Sequence, residues 1–186
     1  GVRDGTVEEG WMPPEIGGDV TEALRCGNVV GTQSAGMVRA SVAAAGPFDE
    51  RFPRWADQEW YVSLSTRCAF DRIRQPLVVF EFDTHNRITD DTAKLYEARR
   101  LFVEKYSSLA AEYGRTTRRK MRGWADFRVG KPLLRMGEYP AARRFLLNAI
   151  RWYPVEPRFY AYAGSSLGGR WTHSIARSVN ELAASE

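Results

Sequence analysis

Residues 38–60 read VRASVAAAGPFDERFPRWADQEW, and the punctuation of this stretch decides how the front of the chain is read. Ser41 is placed to cap a short alanine-rich helix over residues 42–45. Gly46 and Pro47 break it, and Phe48-Asp49-Glu50 reads as a tight turn. Asp57 then begins or caps a predicted helix, DQEWYVSLSTRC, whose Trp60, Leu64 and Cys68 share one face. Asp57 and Glu59 stand two positions apart, so on a helix their side chains diverge by roughly 200°. They cannot share one substrate atom, which argues against a paired-carboxylate hydrolase built from these two alone. One can face a cleft bordered by Trp55, Trp60 and Tyr61 while the other serves the helix start. A plain N-cap is the structural alternative for Asp57.

On either side the chain carries further candidates. Gly31-Thr32-Gln33-Ser34-Ala35-Gly36 is a loop of small and hydroxylated residues without the Gly-Lys-Ser/Thr ending of a phosphate-binding P-loop. Residues 75–82, QPLVVFEF, predict a strand from their β-branched and aromatic content, with Asp83, Thr84 and His85 at its exit. A lone histidine there is commonly a surface or capping residue. A neutral imidazole can also complete an Mn²⁺ or Mg²⁺ shell built from carboxylates and phosphate oxygens.

The Gly46-Pro47-Phe48-Asp49-Glu50 turn followed by the acidic pair Asp57 and Glu59 before a helix resembles the acceptor-side motif of family 2 glycosyltransferases of the GT-A fold. The resemblance covers about residues 1–90. It implies an α/β fold class there, a partial GT-A-type mixed sheet fragment, followed by an all-α helical tail. It also implies inverting transfer of a sugar from a nucleotide-sugar donor to a hydroxyl on a glycan, lipid-linked or protein acceptor. On this resemblance Asp57 is the catalytic base, Glu59 shapes the acceptor site, and Gln33, Ser34, Trp55 and Trp60 contact sugar. His85 matches the position that serves the divalent metal, Mn²⁺ or Mg²⁺, or the diphosphate. The chemistry asks for such a base because a sugar hydroxyl is a poor nucleophile until a carboxylate within hydrogen-bond reach accepts its proton. No Asp-x-Asp triplet precedes the acceptor segment. The main metal ligands are therefore expected before Gly1, in a longer protein of which this is a piece inactive by itself. A glycan hydrolase, the other carbohydrate chemistry, would need a second carboxylate facing Asp57, such as Glu81 or Asp83.

The 186 residues are 44% hydrophobic and 27% charged, a globular composition, and no apolar run approaches the length of a membrane span. No signal-peptide pattern opens the chain. Cys26 and Cys68 sit far apart and read as free thiols in a reducing compartment, so a cytoplasmic location is expected, with a peripheral place on the cytoplasmic membrane face as its extension. Net charge is +4, concentrated in residues 115–122, RTTRRKMR, from Arg115 to Arg122. Such a run is ordinarily a solvated helix face, and contact with an anionic membrane surface or lipid-linked phosphate is the functional alternative. No nucleic-acid-binding motif accompanies it, and no nucleic-acid partner is expected.

From Thr89 the pattern becomes helical, dividing residues 1–90 from residues 91–186. Thr89-Asp90-Asp91 is a capping signal for a helix with Leu95, Phe102, Tyr106 and Leu109 on one stripe. Thr116 or Thr117 opens a second helix, Pro140 sits in the first turn of a third, and residues 156–167 and 171–184 supply two more. Gly130, Gly137, Ala142, Leu146, Ala149 and Pro154 resemble the small, apolar and terminating positions of one tetratricopeptide helix pair. The departures are Pro132, expected to break the first helix, and Asp126 in place of a tryptophan. A non-catalytic protein- or membrane-interaction module built on this tail is the rival to the transferase.

Overall fold

Two units, Gly1–Ile88 and Thr89–Glu186, divide the chain in the computed structural model, which describes residues 2–3, 6–7, 17–26, 40, 46–71 and 91–168. In the first unit, β1 (Val2–Arg3) pairs antiparallel with β2 (Thr6–Val7), Val2 opposite Val7. The helix α1 (Thr21–Cys26) follows the Asp19 carboxylate, which accepts from the Thr21 amide at 2.9 Å. The Thr21 hydroxyl first, and this amide second, hold Asp19 below the usual carboxylate range. The helix α2 (Ala56–Ser65) packs on α1 through two buried side-chain bonds to backbone. Gln58 Nε2 donates to the Leu24 carbonyl at 2.8 Å, and Thr21 Oγ1 donates to the Ser65 carbonyl at 3.0 Å. A backbone bridge between Gly18 and Phe70 closes the pair, and Leu24, Val62 and Leu64 fill the space inside it.

The expected α/β mixed sheet fragment is corrected by this arrangement. Extended pairing among the described residues amounts to the two-residue ladder and the Gly18–Phe70 bridge, and helix accounts for most of the rest. The physical reason lies in spacing. From Ala56 the buried positions Gln58, Tyr61, Val62, Leu64 and Ser65 recur at intervals of three and four, the burial pattern of a helix face and not the alternation of a strand, so here the backbone hydrogen bonds close within the helix that the sequence predicts. The run at residues 75–82, read from sequence as a strand, lies outside the described residues, as does the loop at residues 31–36.

In the second unit, α3 (Thr92–Glu112) starts where Asp91 Oδ1 accepts from the Lys94 amide at 3.1 Å. It buries Leu95, Ala98, Phe102, Tyr106 and Ala110; Leu109, expected in this stripe, is only half-buried. Gly114, at φ 103°, turns the chain into α4 (Arg115–Arg135). Thr117 therefore lies inside the helix and not at its cap, its hydroxyl donating back to the Tyr113 carbonyl. Helix α4 runs through Pro132 unbroken, correcting the expected break, because the proline falls in the last turn where one missing amide costs little cooperativity. It ends at Gly137, φ 79°, with the Glu138 amide on the Leu133 carbonyl and the Gly137 amide on the Leu134 carbonyl. Then come α5 (Tyr139–Trp152), with Pro140 in its first turn, and α6 (Pro157–Ser165), capped by the Glu156 carboxylate. Among the described residues no helix is long and apolar enough to cross a membrane.

Glycine sets how closely α4 and α5 approach. A Cβ on Gly130 would meet Leu146 Cγ at 2.7 Å and the Ala142 carbonyl at 3.3 Å, and one on Gly123 the Ala149 carbonyl at 3.1 Å. Ala142, Leu146 and Ala149 are fully buried opposite. Beyond them Trp124, Phe127, Phe159 and Tyr162 interlock, with ring centroids 5.0 to 5.3 Å apart. Asp126 is also fully buried, and its Oδ1 accepts from Arg99 of α3 at 2.7 and 2.8 Å. Burial pushes its carboxyl above the ordinary range, outweighing the pull of Arg99 and Arg122. Gly130→Ala is expected to destabilise this unit by about 1–2 kcal/mol in urea denaturation, because overpacking exceeds the gain in helix propensity. Gly164→Ala, with open space around its Cβ position, is expected to be neutral or slightly stabilising in the same measurement.

Candidate functional site

The segment that precedes α2 is held by its own aromatics. Trp60 sits one turn into the helix, and its indole Nε1 donates to the Gly46 carbonyl at 2.7 Å, bridging 14 positions. Phe48 lies flat on Trp60, centroids 4.8 Å apart and planes within 14°. Gly46 is buried, and a Cβ there would collide with the Arg67 guanidinium at 2.6 Å. The turn itself is closed by the Phe52 amide on the Asp49 carbonyl, and Arg51 grips the Asp49 carboxylate with Nε and Nη2 at 2.8 and 2.7 Å. Phe52 is buried beneath it.

Trp55 makes the last adjustment. It adopts φ 62°, ψ 18°, a left-handed conformation that costs a non-glycine residue about 1 kcal/mol or more. That reversal aims the chain into α2, so Ala56 is the first helical residue and Asp57 the second. Asp57 is therefore not the N-cap; Trp55 occupies that place with no side-chain cap bond. The first helical bond runs from the Glu59 amide to the Trp55 carbonyl at 2.8 Å.

Asp57 and Glu59 separate as their spacing requires. Asp57 is half-buried at the surface, while Glu59 is 1% exposed inside the packing beside Gln58. Burial first, and the Asp57 charge second, push the Tyr61 hydroxyl above its ordinary pKa, which puts the carboxylate within electrostatic reach of that ring. Asp57, Glu59, Trp55 and Trp60 are thus gathered on one turn and one helix start. Gln33, Ser34 and His85 lie outside the described residues, as do Glu81 and Asp83. Among the described residues no three His, Cys, Asp or Glu side chains converge as a metal site needs. Cys26 and Cys68 are free thiols, the first buried and the second half-buried.

Phe48, read from sequence only as part of the turn, is a further candidate. Phe48 is 54% exposed with its inner face on Trp60, so it presents an open aromatic face beside Asp57's helix. The signal was present as an aromatic in a Gly-Pro turn 12 positions before a tryptophan, but only the stack reveals which ring faces outward. Trp60 is half-buried and supports it. No protein family, curated protein or solved structure matches the chain.

Trp60→Phe keeps a ring under Phe48 and removes the indole donor, leaving the buried Gly46 carbonyl without that partner. The expected loss is about 1–2 kcal/mol of first-unit stability, read by chemical denaturation. An unchanged midpoint would mean the bond does not hold the turn.

Proposed function

We propose that this chain supplies the acceptor side of a glycosyltransferase that moves a sugar from a nucleotide-sugar donor to a hydroxyl acceptor with inversion, Asp57 acting as general base. One observation carries the reading: a single surface carboxylate is fixed at the start of α2 by a tied turn, while its neighbour Glu59 is withdrawn into the packing. A proton acceptor must be positioned to within hydrogen-bond reach of the attacking hydroxyl, and a fixed turn reduces the cost of that positioning.

Asp57 takes the proton of the acceptor hydroxyl as its oxygen attacks the anomeric carbon and the nucleoside diphosphate leaves. Phe48, backed by Trp60, offers an open ring for the apolar face of the acceptor sugar. Glu59 acts from below as a positioning residue, since its carboxylate lies away from the surface an acceptor approaches. Gln33, Ser34 and His85 keep the sugar-binding and metal or diphosphate roles that the family resemblance implies.

The test is turnover of a panel of UDP-, GDP- and dTDP-sugars by the full-length protein, followed as released nucleoside diphosphate. Asp57→Asn is expected to lower kcat by about 10²–10⁴-fold with an unchanged circular dichroism spectrum. Retention of activity within a few-fold by the folded variant would end the reading. Phe48→Ala is expected to raise the acceptor KM with little change in kcat, and an effect confined to kcat would remove Phe48 from acceptor binding.

A further inference from the structure

The helical unit carries a second set of fixed polar groups that the transferase reading does not use. Two adjoining hollows, about 360 and 500 Å³, share Arg99 and Asn148 in their walls and form one open groove along α5. Arg144, Asn148 and Arg151 recur on α5 at intervals of four and three, a single stripe on the face away from Ala142, Leu146 and Ala149. Arg99 enters from α3 and Arg119 from α4. The Tyr96 and Phe145 rings, stacked 5.3 Å apart, line one end.

A basic helix face is ordinarily solvated, with mobile side chains. Two of these guanidiniums are held instead. Arg119 donates Nε to the Trp152 carbonyl at 2.9 Å and Nη2 to the Arg151 carbonyl at 3.3 Å, across 33 and 32 positions. Arg99 spends Nε and Nη2 on Asp126, whose second oxygen is buried and meets no donor among the described residues. Each keeps an Nη1 that donates to nothing among the described residues. Arg122 lies over the Trp152 ring, 4.7 Å from its centroid, adding charge beneath the same helix end. Against four lining arginines, the only carboxylate bonded to any of them among the described residues is Asp126. Guanidiniums already oriented by protein bonds lose little freedom on meeting an anion, and their planar fork suits phosphate oxygens.

We infer that the groove between Arg99, Arg119, Arg144 and Arg151 is a binding site for a diphosphate ester, its organic part resting on Tyr96 and Phe145. The inference is independent of the transferase reading, since every group in it belongs to the helical unit. The excess of charge calls for more than one phosphate, and the two hollows on either side of Arg99 and Asn148 give room for two. The residues 115–122 that looked like one cationic run are divided by the fold. Arg119 serves this groove, Met121 is buried, Arg122 covers Trp152, and Arg115 and Arg118 are exposed.

Calorimetric titration of the full chain with inorganic pyrophosphate and with geranyl diphosphate tests it, at two salt concentrations. Both are expected to bind, geranyl diphosphate more tightly. The double variant Arg144→Gln/Arg151→Gln is expected to weaken both by about tenfold or more, because each charge-assisted bond lost is worth at least that factor. Arg115→Gln/Arg118→Gln removes the same charge elsewhere and is expected to change either affinity less than about threefold at physiological salt. No binding of either diphosphate, or equal losses in the two double variants, would overturn the site. Sedimentation with phosphatidylcholine vesicles with and without phosphatidylglycerol separates the sources. Binding to anionic vesicles without binding of either soluble diphosphate would also overturn it, in favour of a membrane-facing surface.

Discussion

The hydrogen bond from the Trp60 indole to the Gly46 carbonyl is the constraint on which the candidate catalytic segment depends. It ties a residue one turn inside α2 to the break before the Asp49 turn, so the intervening chain cannot swing independently of the helix. Phe48 is then trapped flat on Trp60, and Trp55 is forced through the left-handed region to enter the helix. Such a backbone outlier is tolerated where its surroundings determine it, and here the surroundings are the tie on one side and the first turn of α2 on the other. Asp57 then stands at the start of α2, three positions before the Trp60 that carries the exposed Phe48 ring. The buried bonds from Gln58 to Leu24 and from Thr21 to Ser65 then anchor α2 from behind.

The helical unit reaches its precision differently. Gly123 and Gly130 let α4 and α5 come close enough for Leu146 and Ala149 to pack against bare backbone, and the aromatic cluster at α6 seals the far side. Close approach brings the end of α5 within reach of Arg119, which satisfies carbonyls that a helix terminus leaves open. The buried Asp126 does similar work for Arg99. A desolvated carboxylate is a costly way to hold a side chain, and replacing such pairs with apolar groups often stabilises a protein. Its visible effect here is to hold the Arg99 guanidinium in place.

Much of the helical unit was legible because its signals are local. Asp91 as a cap, Pro140 in a first turn, Gly137 as a terminator and the Leu95–Phe102–Tyr106 spacing each act within a turn or two of the chain. Pro132 and Asp126 were misread or left unexplained because their outcome depends on position and partner: a proline near a helix end is tolerated, and Arg99 lies 27 positions from Asp126. At the front, the divergence of Asp57 and Glu59 followed from helical geometry alone, whereas the choice of which faced outward needed the packing of α2 on α1. The mixed sheet was carried over from resemblance; residues 75–82, read as a strand, lie outside the described residues, which are mostly helical. The arginine groove was hidden because its members come from three helices and no single stretch displays them together.

A single carboxylate working as base in one displacement makes a stereochemical commitment. On the proposed transfer the acceptor oxygen attacks from the side opposite the departing diphosphate, so the anomeric centre is turned over once. The direct measurement is the anomeric configuration of the product by proton NMR, taken from the one-bond and vicinal couplings at the new linkage before any equilibration. The account predicts a configuration opposite to that of the donor. Retention would contradict it, since that outcome demands a second nucleophilic group or a front-side mechanism in which Asp57 has no such part.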